Sequence, residues 1–368
     1  MSDESRLPKD PTAWEAASNQ LVWKSIHHYG LACSGSGISR EQFILLRTLW
    51  KSHTIDSLYA RDRSTWIDDS SFQEAQRFLS SSAIASTWQR FLESTGTPPK
   101  TLEEQGYAGL DTFSLVRYEP NRQEDKKSAQ TESCRPILPD PDPEAPRSGT
   151  AYRGGSPAPY ETPEDFSSPF EDPRVFKAIQ DEQIVNTALI EYLNALAIHC
   201  TELEANWTLH RLPLIARDHT GTKTYEARVD GYLKSRQDEQ PLAIMEVKPF
   251  TRKTKKAAIR MQESAQMASW INQYRPLNMS QLRATGEKIR RLLISQDRHL
   301  IYLNFADFDA SYVDYICDKQ GININEVSFL RMNEYGPFDV GNQSAMSMLG
   351  ELVLGYALGE SRKAVAGS

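Results

Sequence analysis

From residue 181 to residue 358 the chain alternates between two hydrophobic patterns, and this alternation restricts the possible fold more than any other feature. Stretches with an apolar residue at every third or fourth position, typical of helices, alternate with short stretches rich in Val, Ile, Leu and Tyr, typical of strands. The predicted helices span residues 181–200, 254–274, 280–295, 310–319 and 344–358. The predicted strands span residues 207–216, 224–234, 242–248, 299–305 and 326–332. This order predicts an α/β domain in which a β-meander is followed by helical crossovers.

A proline-rich segment precedes this region. Ten of the twenty prolines lie between Pro136 and Pro173, among Gly, Ser and acidic residues and without apolar periodicity. Such a composition predicts a linker or disordered segment at residues 121–175. Residues 1–120 then form a small, mostly helical region, with helical spacing at residues 14–29, 40–51 and 72–91 and a capping box at Ser39 and Gln42. The α/β domain is predicted at residues 176–362.

The composition excludes several classes of protein. The chain has 368 residues, a mean hydropathy of −0.56 and no run of 18 apolar residues, and its polar start lacks the apolar core of a secretory signal. We therefore expect an intracellular protein with no membrane partner. Its four cysteines are scattered without a C-x-x-C pair, which favours neither a disulfide framework nor a zinc site.

The net charge of −7 conceals a basic segment. The segment from Glu246 to Arg298 contains twelve basic and four acidic residues, which gives it a local net charge of +8. This segment suits contact with phosphate groups, although the solvated faces of two helices would have the same composition. The run at residues 252–256 also suits a nuclear import signal, so the nucleus is favoured over the cytoplasm.

Two carboxylates are predicted to face each other across a hairpin. The second and third strands are joined by a polar run centred near Asp238, which predicts an antiparallel pair. The residue numbers of opposite residues in such a pair add up to the same value. Asp230 and Glu246 are equally far from Asp238, so they are predicted to lie opposite each other, about 5 Å apart. Two carboxylates at this distance repel each other unless a cation lies between them. Oxygen ligands without a nearby thiolate or imidazole favour Mg²⁺ or a similar hard ion such as Mn²⁺.

A lysine joins the two carboxylates. Side chains alternate between the faces of a strand, so Glu246 and Lys248 share one face while Met245 and Val247 take the other. The two carboxylates and the lysine would then form one group that holds a divalent cation. The alternative is an ordinary hairpin whose lysine forms a surface ion pair, since an E-x-K sequence often occurs by chance.

Four segments resemble a known family. DEQIVNTALIEYLNAL, EARVDGYL, AIMEVKP and QESAQMASWI are similar to the fungal PD-(D/E)XK nuclease-like family of the PD-(D/E)XK nuclease superfamily. The resemblance covers residues 181–358 and excludes the N-terminal region, and Val229 stands where the name-giving proline would be. It implies a restriction-endonuclease-like core, α-β-β-β-α-β, with additional helices and a strand.

The resemblance also implies roles for residues. Asp230, Glu246 and the carbonyl of Val247 would bind the metal, and Lys248 would hold or help deprotonate the attacking water and offset phosphate charge. The substrate would be nucleic acid, with DNA favoured over RNA, and a homodimer would suit cleavage of both strands. The alternative is a nuclease fold that binds nucleic acid or a protein partner without cutting, with the N-terminal helices as the interaction module.

Two helices contribute further candidates. Glu182, at the start of its helix, would bind a second metal or orient a metal-bound water, or it is simply an acid favoured by the helix dipole. On the following helix Gln262 and Gln266 share the stripe that packs on the sheet, and buried amides need partners. The resemblance places such a glutamine near the lysine or the substrate phosphate, and Gln262 is favoured as the site residue over Gln266, which is assigned to nucleic-acid contact.

Several cations are candidates for contact with nucleic acid. Arg228 shares a face with Asp230, so it contacts phosphate or pairs with a neighbouring acid. The other four follow the third strand directly and suit backbone phosphate contacts without sequence reading: Arg252, Lys253, Lys255 and Lys256.

Overall fold

The computed structural model describes most of the chain outside the proline-rich segment. The described residues are 7–18, 21, 25–28, 34–81, 84–95, 182–253, 255–318 and 327–366. The predicted linker at residues 121–175 lies outside them. No helix in these ranges has the length and apolarity needed to cross a membrane.

The described residues form helices, short 3₁₀ and π segments and nine strands. The α-helices are α1 (Pro11–Ser18), α2 (Arg40–Leu45), α3 (Ile55–Ser57), α4 (Arg63–Trp66), α5 (Asp69–Leu79), α6 (Ala85–Ser94), α7 (Glu182–Ala197), α8 (Lys256–Gln273), α9 (Met279–Thr285), α10 (Ala310–Ile316) and α11 (Gln343–Ala366). The strands are β1 (Thr48–His53), β2 (Ala205–Thr208), β3 (Leu212–Arg217), β4 (Lys223–Val229), β5 (Gly231–Ser235), β6 (Pro241–Lys248), β7 (Ile289–Asp297), β8 (Leu300–Phe308) and β9 (Leu330–Asp339). This is an α/β fold.

Seven strands form one mixed sheet, and two form a separate ribbon. The sheet order is β1-β9-β8-β7-β6-β5-β2, and the ribbon pairs β3 with β4. Strands β6 and β7 are parallel and joined through α8, whereas β5 and β6 are antiparallel. Antiparallel strands followed by a helical crossover are therefore present, but the crossover leads to β7, most of which the sequence predicted as helix.

The N-terminal region belongs to this sheet. Strand β1 pairs in parallel with β9 at the sheet edge, and the described residues of the N-terminal region form one compact unit with those of the α/β region. The predicted capping box is present, because Ser39 and Gln42 each bond the backbone N–H of the other. The predicted helix at residues 40–51 is wrong in its second half, which is β1, and that at 72–91 is two helices, α5 and α6.

Apolar clusters cover both faces of the sheet. On one face Met245 and Val247 pack with residues of α5, α6, α7 and α11. On the other face Ile244 packs with residues of the ribbon, α1, α2, α8 and α10. Neighbouring residues of β6 thus point to opposite faces, as the period of a strand requires.

Three predicted elements of the α/β region differ in the structure. The predicted helix at residues 280–295 is the short α9 followed by β7. Strand β7 lies inside the sheet, so both of its faces are apolar and its run Leu292, Leu293, Ile294 lacks the alternation that identifies a half-exposed strand. The predicted strands at residues 207–216 and 224–234 each divide into two, because the chain passes between the main sheet and the ribbon.

Candidate active site

Asp230 lies where the chain leaves the ribbon and enters the main sheet. Its backbone N–H donates to the carbonyl of Met245 (2.9 Å), which continues the predicted register, since Gly231 pairs with Met245 with the same index sum. Its side chain is buried, and Oδ2 accepts a hydrogen bond from the N–H of Val247 at 3.1 Å. A Cβ at Gly231 would lie 2.7 Å from the carbonyl of Thr208, so only glycine fits after Asp230.

Glu246 is buried at the end of β6 and accepts hydrogen bonds from three side chains. Oε1 accepts from Lys248 Nζ (2.5 Å) and from the amide of Gln262, and Oε2 accepts from the amide of Gln266 (2.5 Å). The two glutamines are four residues apart on α8 and therefore reach the carboxylate from one face of that helix. Gln262, predicted to lie near the lysine or the substrate phosphate, thus donates to the same carboxylate oxygen as Lys248.

Burial and charge act in opposite directions on this pair. Burial raises the pKa of Glu246 to about 8, the charge of Lys248 opposes that increase, and the charge of Asp230 adds to it. Burial alone would lower the pKa of Lys248, but the charge and hydrogen bond of Glu246 outweigh it, so that pKa is raised. Lys248 is therefore an ammonium ion near neutral pH, suited to donating hydrogen bonds.

The backbone of Val247 lies beside the carboxylate of Asp230. Strand β5 begins at Gly231, so beyond Met245 no strand pairs with this edge of β6. The N–H and C=O of a strand residue point to the same side. Because the N–H of Val247 meets the carboxylate of Asp230, its carbonyl points to the same side of β6 as that carboxylate.

Arg211 is a site residue that the sequence did not reveal. It lies between β2 and β3, and its Nη2 donates to Asp230 Oδ1 at 2.7 Å while standing 3.7 Å from Glu182 Oε1. Glu182 is the first residue of α7, so the predicted acid does lie beside the hairpin carboxylates. About half of the Arg211 side chain is exposed, at 53%. No local pattern marks Arg211, since it is 19 residues from Asp230.

These side chains line a cleft of about 530 Å³. Its cations are Arg211, Lys223, Arg228 and Lys248, and its acids are Glu182, Glu226, Asp230 and Glu246. Arg228 is 68% exposed, lines the cleft and pairs with Glu226 at 2.8 Å, so the predicted pairing with a neighbouring acid is present, and contact with phosphate stays a prediction.

The N-terminal region supplies one wall of the cleft. Ser34, Gly35 and Ser36 line it, and the two serine hydroxyls lie 2.8 Å apart. A Cβ at Gly35 would be 2.7 Å from the Cβ of Ala227, so the absence of a side chain permits this approach to β4. Sequence analysis did not identify these three residues as part of the site.

The prediction that Arg252 contacts phosphate is wrong. Its guanidinium is buried and donates to Asp297 (2.5 Å), Glu334 (2.7 Å), Glu263 (3.1 Å) and Ser295 (2.5 Å). These partners come from α8, β7 and β9, so Arg252 fixes the connection after β6 to three other elements. An arginine already bonded on all sides in the interior is not available to a ligand.

The neighbouring lysines are exposed but lie outside the cleft. Lys253 and Lys255 are on the surface, and Lys256 pairs with Glu334 at 3.1 Å.

The prediction that Gln266 contacts nucleic acid requires correction, because its side chain is fully buried. Its amide N–H groups are used by Glu246 and by the carbonyl of Arg228 (2.8 Å), so Gln266 positions the carboxylate.

The donors present suit a hard cation held by few protein ligands. Within the described ranges no group of three or more His, Cys, Asp or Glu side chains could hold a metal. Mg²⁺, however, is usually held by one or two carboxylates, with waters and substrate phosphates completing its shell. Asp230 Oδ2 and Glu246 Oε2 each accept one hydrogen bond, which leaves a lone pair on both. The buried Gln266 Oε1 has no hydrogen-bond partner among the described residues and suits a metal-bound water.

Comparisons with known proteins return no match. No family model, no curated protein and no solved structure matches the chain.

Proposed function

We propose that the cleft hydrolyses phosphodiester bonds in DNA with the help of Mg²⁺ or Mn²⁺. The observation that carries this proposal is the convergence of Asp230, Glu246 and Lys248 beside the unpaired edge of β6. The element order supports it: α7, antiparallel strands including β5 and β6, the crossover α8 and the parallel strand β7 agree with a PD-(D/E)XK nuclease core.

Each residue has a chemical role in this proposal. Asp230, Glu246 and the carbonyl of Val247 would hold the metal, which would supply a Lewis acid for the phosphoryl oxygen. Lys248 donates hydrogen bonds to the attacking water or to a phosphate oxygen and offsets the charge that develops there. Glu182 orients water at the edge of the site.

The reaction is a simple hydrolysis. The water oxygen forms a bond to phosphorus, the bond from phosphorus to the leaving sugar oxygen breaks, and the water proton is transferred to the leaving oxygen through solvent. The products are a phosphate monoester and an alcohol, and no further reactant is required. The cationic side chains of the cleft hold the charged backbone while this happens.

The test is cleavage of supercoiled plasmid and labelled single-stranded DNA with Mg²⁺ or Mn²⁺. We expect metal-dependent cutting by the wild type and at least a hundredfold loss in Asp230→Asn and Lys248→Ala. Lys234→Ala, a change at a lysine of β5 paired with Glu239, is the matched control and should cut normally. Circular dichroism verifies that each variant folds.

A different result would favour the alternative class. If folded wild-type protein neither cuts DNA nor takes up Mg²⁺ in calorimetry, the proposal fails and the cleft is a binding site without catalysis. Equal cutting by Asp230→Asn and the wild type would also overturn the proposed mechanism.

A further inference from the structure

A second concave surface lies beside the N-terminal end of α8. We call it the basic groove; it has a volume of about 950 Å³ and is formed by residues 7–9, α1, the start of α2, β1 and the first turns of α8. The carbonyl of Pro8 accepts a hydrogen bond from the N–H of Trp50 (2.9 Å), which holds the segment carrying Lys9 alongside the strand carrying Lys51. The groove is thus built by the N-terminal region against the α/β core.

The charge of the basic groove is one-sided. Its lining includes Lys9, Arg40, Lys51, Lys256 and Arg260, and no acidic residue is among the side chains that line it. The cleft, in contrast, has equal numbers of cations and acids. A concave surface lined only by positive charges concentrates the electrostatic field and attracts a polyanion.

Part of this charge is compensated from behind, and part is not. Lys256 and Arg260 pair with Glu334, at 3.1 and 2.7 Å. Lys9 and Lys51 are exposed and form no ion pair with any residue that the structure describes. These two lysines are therefore the cations most available to a ligand.

The floor of the groove is rigid. The guanidinium of Arg260 lies 5.0 Å from the ring of Trp50 and donates to Ser52 Oγ at 2.5 Å. Trp50 is buried, and its Nε1 donates to Ser264 Oγ of α8 at 2.9 Å. Strand β1 and α8 are thereby fixed together, so the spacing of the cations above them is set by the fold.

Helix α8 connects the groove to the cleft. Lys256 and Arg260 line the groove, whereas Gln262 and Gln266 line the cleft. At 100° per residue these pairs lie about 120° apart around the helix, and six residues at about 1.5 Å each separate them by about 9 Å along its axis. With a helix diameter of about 10 Å, the two offsets combine to roughly 12 Å, or about four base pairs of duplex at about 3.4 Å each.

We infer that the basic groove binds the phosphodiester backbone of duplex DNA beyond the bond that is cut. The identity of the polyanion rests on the proposed function, whereas the basic groove itself rests on its own residues. A duplex seated in the cleft continues over the start of α8, past the exposed Lys253 and Lys255 that precede the helix, to Lys9 and Lys51. Such contacts to phosphate position the duplex without reading its sequence.

The test is binding without catalysis, measured by fluorescence anisotropy of a labelled 20-base-pair duplex in EDTA over a series of salt concentrations. Removing one phosphate contact lowers the slope of log affinity against log salt by about 1. We expect the double variant Lys9→Gln, Lys51→Gln to lower that slope by about 2 and to weaken binding on the order of tenfold or more at 0.1 M salt. Lys363→Gln, an exposed lysine near the end of α11, is the matched control and should leave both unchanged.

A second measurement needs no variant. Acetylation of lysines in the free and DNA-bound protein, read by mass spectrometry, should show protection of Lys9 and Lys51 but not of Lys363. Unchanged affinity and slope in the double variant, or equal effects of Lys363→Gln, would overturn the inference. Displacement of the duplex from the wild type by polyglutamate at equal charge would assign the basic groove to acidic protein segments instead.

The two proposals can fail separately. If the wild type does not cut DNA but its binding depends on Lys9 and Lys51, the proposed reaction fails and the basic groove stands. If the wild type cuts DNA and its binding does not depend on these lysines, the basic groove fails and the reaction stands.

Discussion

Replacing Arg252 with alanine is expected to destabilise the fold while leaving the cleft residues in place. The guanidinium is buried between the carboxylates of Glu263, Asp297 and Glu334 and lies 3.8 Å over the ring of Tyr302. Burial raises the pKa values of Glu263 and Asp297, and the charge of Arg252 opposes that increase. Without Arg252 these carboxylates lose the charge that compensates them.

The size of the effect follows from the burial. Removing one partner of a buried ion pair costs about 3–5 kcal/mol, because the remaining charge is left without compensation in the interior. The residue lies outside the cleft, so its loss acts on the free energy of unfolding and not on ligand contact. Arg252→Lys keeps the charge but loses the fork that reaches Asp297 and Glu334 together, so we expect an intermediate loss.

Urea unfolding followed by tryptophan fluorescence measures this loss. With an m-value of about 3 kcal/mol/M, a loss of 3–5 kcal/mol lowers the midpoint by about 1–1.7 M. The exposed neighbour Lys253 is the matched control, and Lys253→Ala should change stability by less than about 0.5 kcal/mol. A midpoint of Arg252→Ala within 0.2 M of the wild type, together with weaker DNA binding, would refute the reasoning and restore the phosphate-contact role.

Three further changes test other parts of the structure. Burial alone would raise the pKa of Glu334, but Arg260, Arg252 and Lys256 lower it to about 2. A depressed folded-state pKa stabilises the fold above the unfolded value of 4.5, so about 3 kcal/mol should be lost as the pH falls from 5 to 2. Urea midpoints of the wild type and Glu334→Gln should therefore converge over that range, and a constant difference would contradict this. Gln266→Leu removes a hydrogen-bond donor from Glu246 and from the carbonyl of Arg228, so the free energy of unfolding should fall by about 1–3 kcal/mol. Calorimetry should also show weaker Mg²⁺ binding by this variant. Gln273→Leu, on the exposed end of α8, should leave Mg²⁺ binding unchanged. Gly35→Ala places a Cβ 2.7 Å from that of Ala227 and should lower the free energy of unfolding by about 1–3 kcal/mol. Gly37→Ala, whose Cβ meets nothing within 4 Å, should leave it unchanged. Equal stability of the two variants would show that the cleft wall at Gly35 moves to accept a side chain.

Local regularities allowed part of the site to be predicted from sequence. The turn near Asp238 and the period of two set the register of β5 against β6, so the index sum that pairs Gly231 with Met245 also places Asp230 opposite Glu246, where its carboxylate reaches the N–H of Val247. The same period separates Met245 and Val247, which join one apolar cluster, from Glu246 and Lys248 on the other face. These relations depend on residues close in the chain, and steric rules fix them before any tertiary packing.

Other features could not be predicted because they depend on packing between distant segments. Strand β7 has apolar residues on both faces, and only its place inside the sheet distinguishes it from a buried helix. Arg252 belongs to a basic run that reads as surface, and only the arrival of acids from α8, β7 and β9 makes its burial possible.

The sequence by itself predicted most elements of the α/β region, the hairpin and the alternation that groups Glu246 with Lys248. Tertiary structure alone decided that Arg211 binds Asp230, that Ser34 and Gly35 form a wall of the cleft, and that the N-terminal strand completes the sheet. The physical reason is range: backbone geometry acts over a few residues, whereas contacts between distant segments follow from how buried surfaces fit together.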